Sequence, residues 1–198
     1  MILAFDTAAP HCAAALISAG DVIAEAVEPM RRGQAERLMG LCAEMMAEVG
    51  VKYSGLSAIG VGIGPGNFTG IRIAVSAARG LALALDIPAI GVSGFDALRL
   101  GQEGPCACAI EAHRGQIYLQ GFGNDLLAKS GVYDPAQIPA FEGPLIGHGG
   151  IAPRHATANA IARLAAQRCA GPVDPPAPLY LRAADAAPSR NTAPEILP

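Results

Sequence analysis

Charge is scarce in this chain. Only 16% of its 198 residues are Asp, Glu, Lys or Arg, against 52% hydrophobic. That ratio excludes an intrinsically disordered protein. Strong positive charge is missing altogether: the formal net charge is −3, and the densest cationic spot is the pair Arg31-Arg32, which reads as a solvated turn. Autonomous binding to nucleic acid is therefore disfavoured. Long apolar runs are absent too. The most apolar window, Ile73–Val92, is interrupted by Arg79, Asp86 and Pro88, so no membrane span is expected. Nor is there a basic region ahead of an apolar one at the start, where Asp6 follows Met1–Phe5 at once; no secretory signal is expected, and a cytoplasmic location is. The five cysteines are odd in number and irregularly spaced, which fits reduced thiols. Cys106 and Cys108 alternate along one strand and read as small apolar core residues. The glycosylation triplet Asn67-Phe68-Thr69 carries no meaning without a secretory signal.

Signatures of catalysis and metal binding are missing as well. His11, His113, His148 and His155 form no H-x-x-x-H or H-E-x-x-H pair, and none has a cysteine or carboxylate at metal-ligand spacing. No serine sits in a G-x-S-x-G elbow, and no internal repeat appears. No catalytic residue and no metal ligand are assigned.

What is present is organised around Ile59–Leu85. An apolar run over 58–63 reads as a buried strand. The loop Gly64-Pro65-Gly66-Asn67-Phe68-Thr69-Gly70 follows, and then an Ala/Leu-rich helix over Ile71–Leu85. A glycine-rich turn feeding a helix N-terminus can cradle an anion. This loop lacks the Gly-Lys-Ser/Thr of a P-loop, so no lysine reaches a terminal phosphate. Two readings stay open: a tight turn that lets backbone segments approach closely, or a contact to nucleotide or partner through Gly64, Gly66, Asn67 and Thr69. Asp6 and Thr7, at the end of the first strand, are open in the same way. A carboxylate there can organise Mg²⁺ through water or cap a turn.

Upstream, Ile2–Thr7, Cys12–Ile17 and Val22–Glu28 read as three strands joined by short turns, an antiparallel meander that a Rossmann start would not show. Gln34–Val49 has apolar residues at helical spacing and is closed by Gly50. The Ile71–Leu85 helix is apolar nearly all round, with only Arg72, Ser76 and Arg79 as polar residues, so it needs cover on more than one side. Downstream come a strand over Ala89–Val92, parallel to the Ile59 strand, and a short helix from Ser93 to about Leu100. Gly101–Pro105 is the expected domain boundary, dividing a lobe over 1–100 from a smaller one over 101–198. The second would hold a hairpin of Cys106–Ala112 and Gln116–Phe122 around His113-Arg114-Gly115, an irregular Tyr133–Phe141, and a short strand at Leu145–Gly147. It would close with a helix over Thr157–Cys169 N-capped by Thr157 and an extended, proline-rich tail.

The segments Ile2–Thr7, Arg32-Gly33-Gln34-Ala35-Glu36-Arg37-Leu38 and Gly64–Ile73 together resemble the bacterial TsaB (YeaZ) family, whose most specific stretch is usually G-P-G-S-F-T-G-[LV]-R. Gly80-Leu81-Ala82, Ile87–Ser93, Arg114–Tyr118 and Pro178–Arg182 continue the likeness, which is strong to residue 100 and looser beyond. The resemblance implies an α/β fold of the ASKHA (actin-like, sugar kinase) type, in two small lobes, each with a mixed sheet flanked by helices. It implies a non-catalytic accessory subunit in forming N6-threonylcarbamoyladenosine in tRNA, beside the anticodon. The partners would be the catalytic paralogue TsaD and the ATPase TsaE, with a homodimer through the same surface. It would meet tRNA only through the complex, and ATP and Mg²⁺ would enter with the partners. The contact surface would come from Leu38, Leu41, Met45, Ile73, Ala74, Ala77, Ala78 and Leu81. Departures are Asn67 for the usual Ser, Gln34 where His is common, and Glu111-Ala112-His113 where Asp-Ala-Arg is common; a C-terminal helix of longer relatives is expected to be absent. The competing reading is a small actin-like ATPase or phosphotransferase using Asp6, Thr7 and the glycine loop.

Overall fold

The computed structural model describes residues 1–182; the expectation about a helix after Arg182 lies outside the described residues. Strands β1 (Ile2–Asp6), β2 (His11–Ser18) and β3 (Asp21–Pro29) form the antiparallel meander. Helix α1 (Gln34–Glu48) follows, then β4 (Ala58–Gly62), helix α2 (Phe68–Leu85), β5 (Ala89–Val92) and the short helix α3 (Gly94–Arg99). The second half supplies β6 (Cys106–Glu111), β7 (Ile117–Phe122), β8 (Gly131–Tyr133), β9 (Leu145–Gly147) and helix α4 (Thr157–Arg168). Two mixed sheets result, β3-β2-β1-β4-β5 and β8-β7-β6-β9. In the first, β4 runs parallel to β1 and β5 parallel to β4; in the second, β9 runs parallel to β6. This is the α/β, actin-like fold class that the family resemblance implied.

Alternation along the strands gives the first sheet two apolar faces. Leu3, Phe5, Cys12, Ala14, Leu16, Ile59 and Val61 point to one side, where α1 and α2 cover them. Ile2, Ala4, Ile17, Ala58, Ile90 and Val92 point to the other, where α4 lies across them through Ala160, Ile161, Ala162 and Ala165. Each large aliphatic or aromatic side chain so buried contributes about 1.5–3 kcal/mol. Gly60 lets α4 come close: a Cβ there would sit 3.0 Å from the Ala165 methyl and 3.2 Å from Ile161. The second sheet packs against α3 and Leu179 and Leu181 on one face, and against Leu127, Ile138 and Phe141 on the other.

Three expectations need correcting. Helix α2 begins at Phe68, three residues before Ile71, because the Asn67 side chain caps it by accepting from the Gly70 N–H at 2.8 Å. Asparagine ranks among the strongest N-caps. Helix α4 has Ala156 at its N-cap with no side-chain bond, so Thr157 is its first helical residue rather than its cap. And α4, expected in the lobe over 101–198, belongs instead to the core of the first sheet, whose second apolar face would otherwise be bare.

Candidate functional site: a cleft between the sheets

β1 and β4 run side by side and end at the same level, with Phe5 opposite Val61. Asp6, 4% exposed, therefore points over the next residue of β4. That residue is Gly62, where a Cβ would overlap the Asp6 carboxylate. The carboxylate accepts from the Ala8 N–H at 3.1 Å and pairs with His11 Nε2 at 2.8 Å. His11 escaped the sequence reading as a partner for Asp6. The four-residue connection between two antiparallel strands is the signal that brings residues 6 and 11 together.

Thr7 is buried, and its hydroxyl donates to the Gly70 carbonyl at 2.6 Å. The glycine loop closes over the same turn. Asn67 N–H donates to the Ala8 carbonyl at 2.7 Å, and a Cβ at Gly66 or Gly70 would overlap the Ala8 or Thr7 carbonyl oxygen. The loop's glycines thus serve close backbone packing. Of the six residues named as nucleotide contacts, Asp6, Gly64, Gly66 and Asn67 line a cleft of about 610 Å³, whereas Thr7 and Thr69 do not. Thr7 is withdrawn as a contact because its hydroxyl is spent on α2. Asn67 reaches the cleft while its side-chain oxygen is spent on the helix cap.

The cleft opens between the two sheets. Its first-sheet wall carries Asp6, His11, Arg31 and Gln34. Its second-sheet wall carries Glu111, His113, Tyr118 and His148, and the segment entering α4 adds His155 and Thr157. Arg114, at the tip of the β6–β7 turn, is held at φ 62°. Among the described residues no group of three or more His, Cys, Asp or Glu could hold a metal ion.

An extended strap runs along the glycine loop. Leu179 N–H donates to the Ile63 carbonyl at 2.7 Å, and Tyr180 stacks on Phe68 with ring centroids 4.7 Å apart. The Arg72 guanidinium lies over the same Phe68 ring, and Arg182 donates to Gln116 in the turn just ahead of β7. Sequence reasoning took this proline-rich stretch as plain tail; only Pro178–Arg182 in the resemblance hinted otherwise.

The named contact surface separates into two sets. Leu38, Leu41, Met45, Ala74 and Ala78 lie in the core between α1, α2 and the sheet. They cannot meet a partner in the folded chain, and their assignment to an interface is corrected. Ile73, Ala77 and Leu81 remain half-buried along one flank of α2, while Leu83, 86% exposed, lies on another face with Arg72, Ser76 and Arg79. By length and composition α2 would suffice to cross a membrane. Here Ile71, Ala74, Val75 and Ala78 anchor it in the core.

The strand order β3-β2-β1-β4-β5, an antiparallel meander continued by two parallel strands with helices on both faces, together with the second mixed sheet, defines the class as an actin-like α/β scaffold. Comparison with known proteins narrows it. A family model described as "TsaD: tRNA N6-adenosine threonylcarbamoyltransferase" matches residues 22–141. The chain is 32% identical over 152 residues to the tRNA threonylcarbamoyladenosine biosynthesis protein TsaB of Escherichia coli, covering 74% of this chain and 64% of that protein. It is 34% identical over 131 residues to the protein of that name in Bacillus subtilis, covering 64% and 57%. The match thus spans under two thirds of these curated relatives. An uncharacterized Mycobacterium tuberculosis protein, Rv3421c, is 32% identical over 200 aligned positions, with 94% of both chains covered. The solved structure "YeaZ from Pseudomonas aeruginosa" superposes with a TM-score of 0.72 at 27% identity, over 91% of this chain and 99% of that one. The chain belongs to the TsaB (YeaZ) family.

Proposed function

We propose that this chain is a non-catalytic accessory subunit in the formation of N6-threonylcarbamoyladenosine in tRNA. Its role is to hold a catalytic TsaD-type paralogue in a productive arrangement, with a TsaE-type ATPase joining the pair. The curated TsaB relatives carry the pathway. The observation that carries the accessory role is one flank of α2, where Ile73, Ala77 and Leu81 follow one another at four-residue spacing and stay half-exposed. An apolar helix face left open on a small lobe favours a protein partner, and the small side chain at Ala77 allows a helix to approach closely. The same face serves a homodimer when the paralogue is missing. ATP and Mg²⁺ enter with the partners, tRNA is met through the assembled complex, and the complex works in the cytoplasm.

The test is reconstitution. The purified chain alone should hydrolyse no ATP in the presence of Mg²⁺, and threonylcarbamoyl transfer to tRNA should need the chain together with TsaD and TsaE. Substantial turnover by the chain alone, lost in Asp6→Ala, would sink the accessory reading.

A further inference from the structure

We infer that the cleft between the sheets is a proton-gated site for a small phosphate-bearing anion, bound without a metal ion. The inference stands on the cavity, not on the partner surface of α2. All four histidines of the chain line it. They arrive from four separate places: His11 at the start of β2, His113 in the β6–β7 turn, His148 after β9 and His155 ahead of α4. The other charged residues on its walls are Asp6 at the end of β1, Arg31 between β3 and α1, and Glu111 at the end of β6. Gln34, Tyr118 and Thr157 are uncharged donors facing the same space.

With the histidines neutral, two carboxylates face one guanidinium, and the cleft repels an anion. With all four protonated, five cations face the same two carboxylates, one of which is already paired with His11 at 2.8 Å. Histidine is the side chain that serves as a charge switch, and protonation of this lining inverts the sign of the cleft. The volume, about 610 Å³, is that of a small-molecule site. A polyphosphate nucleotide fits this lining poorly. No lysine lines the cleft, and the Gly70 N–H at the start of α2 is already given to Asn67 Oδ1. A bound anion stabilises the protonated imidazoles, so binding takes up protons from solution.

The test is calorimetry with inorganic pyrophosphate at about pH 6 and about pH 8, either side of the histidine range. Affinity should be at least ~tenfold tighter at the lower pH. At neutral pH the binding heat should vary with the buffer's ionisation enthalpy, reporting proton uptake. Because every histidine lines the cleft, the imidazole carbon-bound proton resonances should shift on binding in the unaltered protein. His148→Ala, in an exposed loop, should weaken binding, and Arg79→Ala, on the outer face of α2, should not. Equal affinity at both pH values, heats independent of buffer, or binding without imidazole shifts would each overturn the proposal. So would tighter, pH-independent binding of Mg-ATP, which would assign the cleft to a nucleotide.

Discussion

The Thr7 hydroxyl donates to the Gly70 carbonyl across 63 residues of sequence, at 2.6 Å. This bond ties the end of the first strand to the first turn of α2 and holds the glycine loop shut over the β1–β2 turn. Thr7→Val keeps the shape, removes the donor and leaves one carbonyl lone pair unmet in the interior. A loss of about 1–2 kcal/mol is expected, read as a lower urea midpoint with an unchanged slope.

Two glycines of α2 should respond in opposite directions. A Cβ at Gly70 would overlap the Thr7 carbonyl oxygen, whereas nothing lies within 4 Å of a Cβ at Gly80. Gly70→Ala should cost about 3 kcal/mol or more, as overpacking against backbone does. Gly80→Ala, mid-helix and exposed, should gain about 0.5–1 kcal/mol in helix propensity. Thermal unfolding of the pair decides whether the loop's glycines serve packing.

Leu81→Glu and Met45→Glu should part company. Leu81 is half-buried on the outer flank of α2, and Met45 is buried under α1. Leu81→Glu should retain the parent's far-UV spectrum and lose partner binding or self-association. Met45→Glu should fail to fold, since an unpaired carboxylate in the core shifts the balance by several kcal/mol. Unchanged association in a folded Leu81→Glu would move the docking face elsewhere.

Thiol reactivity should single out Cys169. Burial pushes the Cys12 thiol up to about 11 and those of Cys42 and Cys108 up to about 12, and Cys106 is fully buried. A raised value means that the proton stays on, so at about pH 8 Cys12, Cys42 and Cys108 carry almost no nucleophilic thiolate. Cys169, partly exposed beside the Ala166 carbonyl, should react alone with a chromogenic disulfide in the native protein. All five should react in denaturant. Fast labelling of Cys12 or Cys42 in native buffer would contradict the packing of α1 on the sheet.

The strands of the first sheet were legible because each is an apolar run bounded by turn residues. Helix α1 was legible because its apolar positions keep one phase. Helix α2 has no such phase, and from its sequence nothing separates the residues turned to the sheet from those turned outward. Ala74 and Ala77 look alike, yet the first is buried and the second is half-exposed. Its start was misplaced because Phe68 and Thr69 continue the composition of the loop, while the deciding interaction is a single side-chain bond from Asn67. The Asp6–His11 pair and the gathering of four histidines depend on tertiary placement that local pattern does not carry.

Helix α4 covers strands made more than sixty residues before it. A nascent chain leaving the ribosome would therefore carry a half-clothed sheet until residues 157–168 emerge, and the first hundred residues by themselves would lack that cover. A fragment ending near residue 100 should aggregate or bind a chaperone, and adding the α4 segment in trans should rescue its solubility. Whatever order the chain takes to its native state, α4 is what locks the first strands.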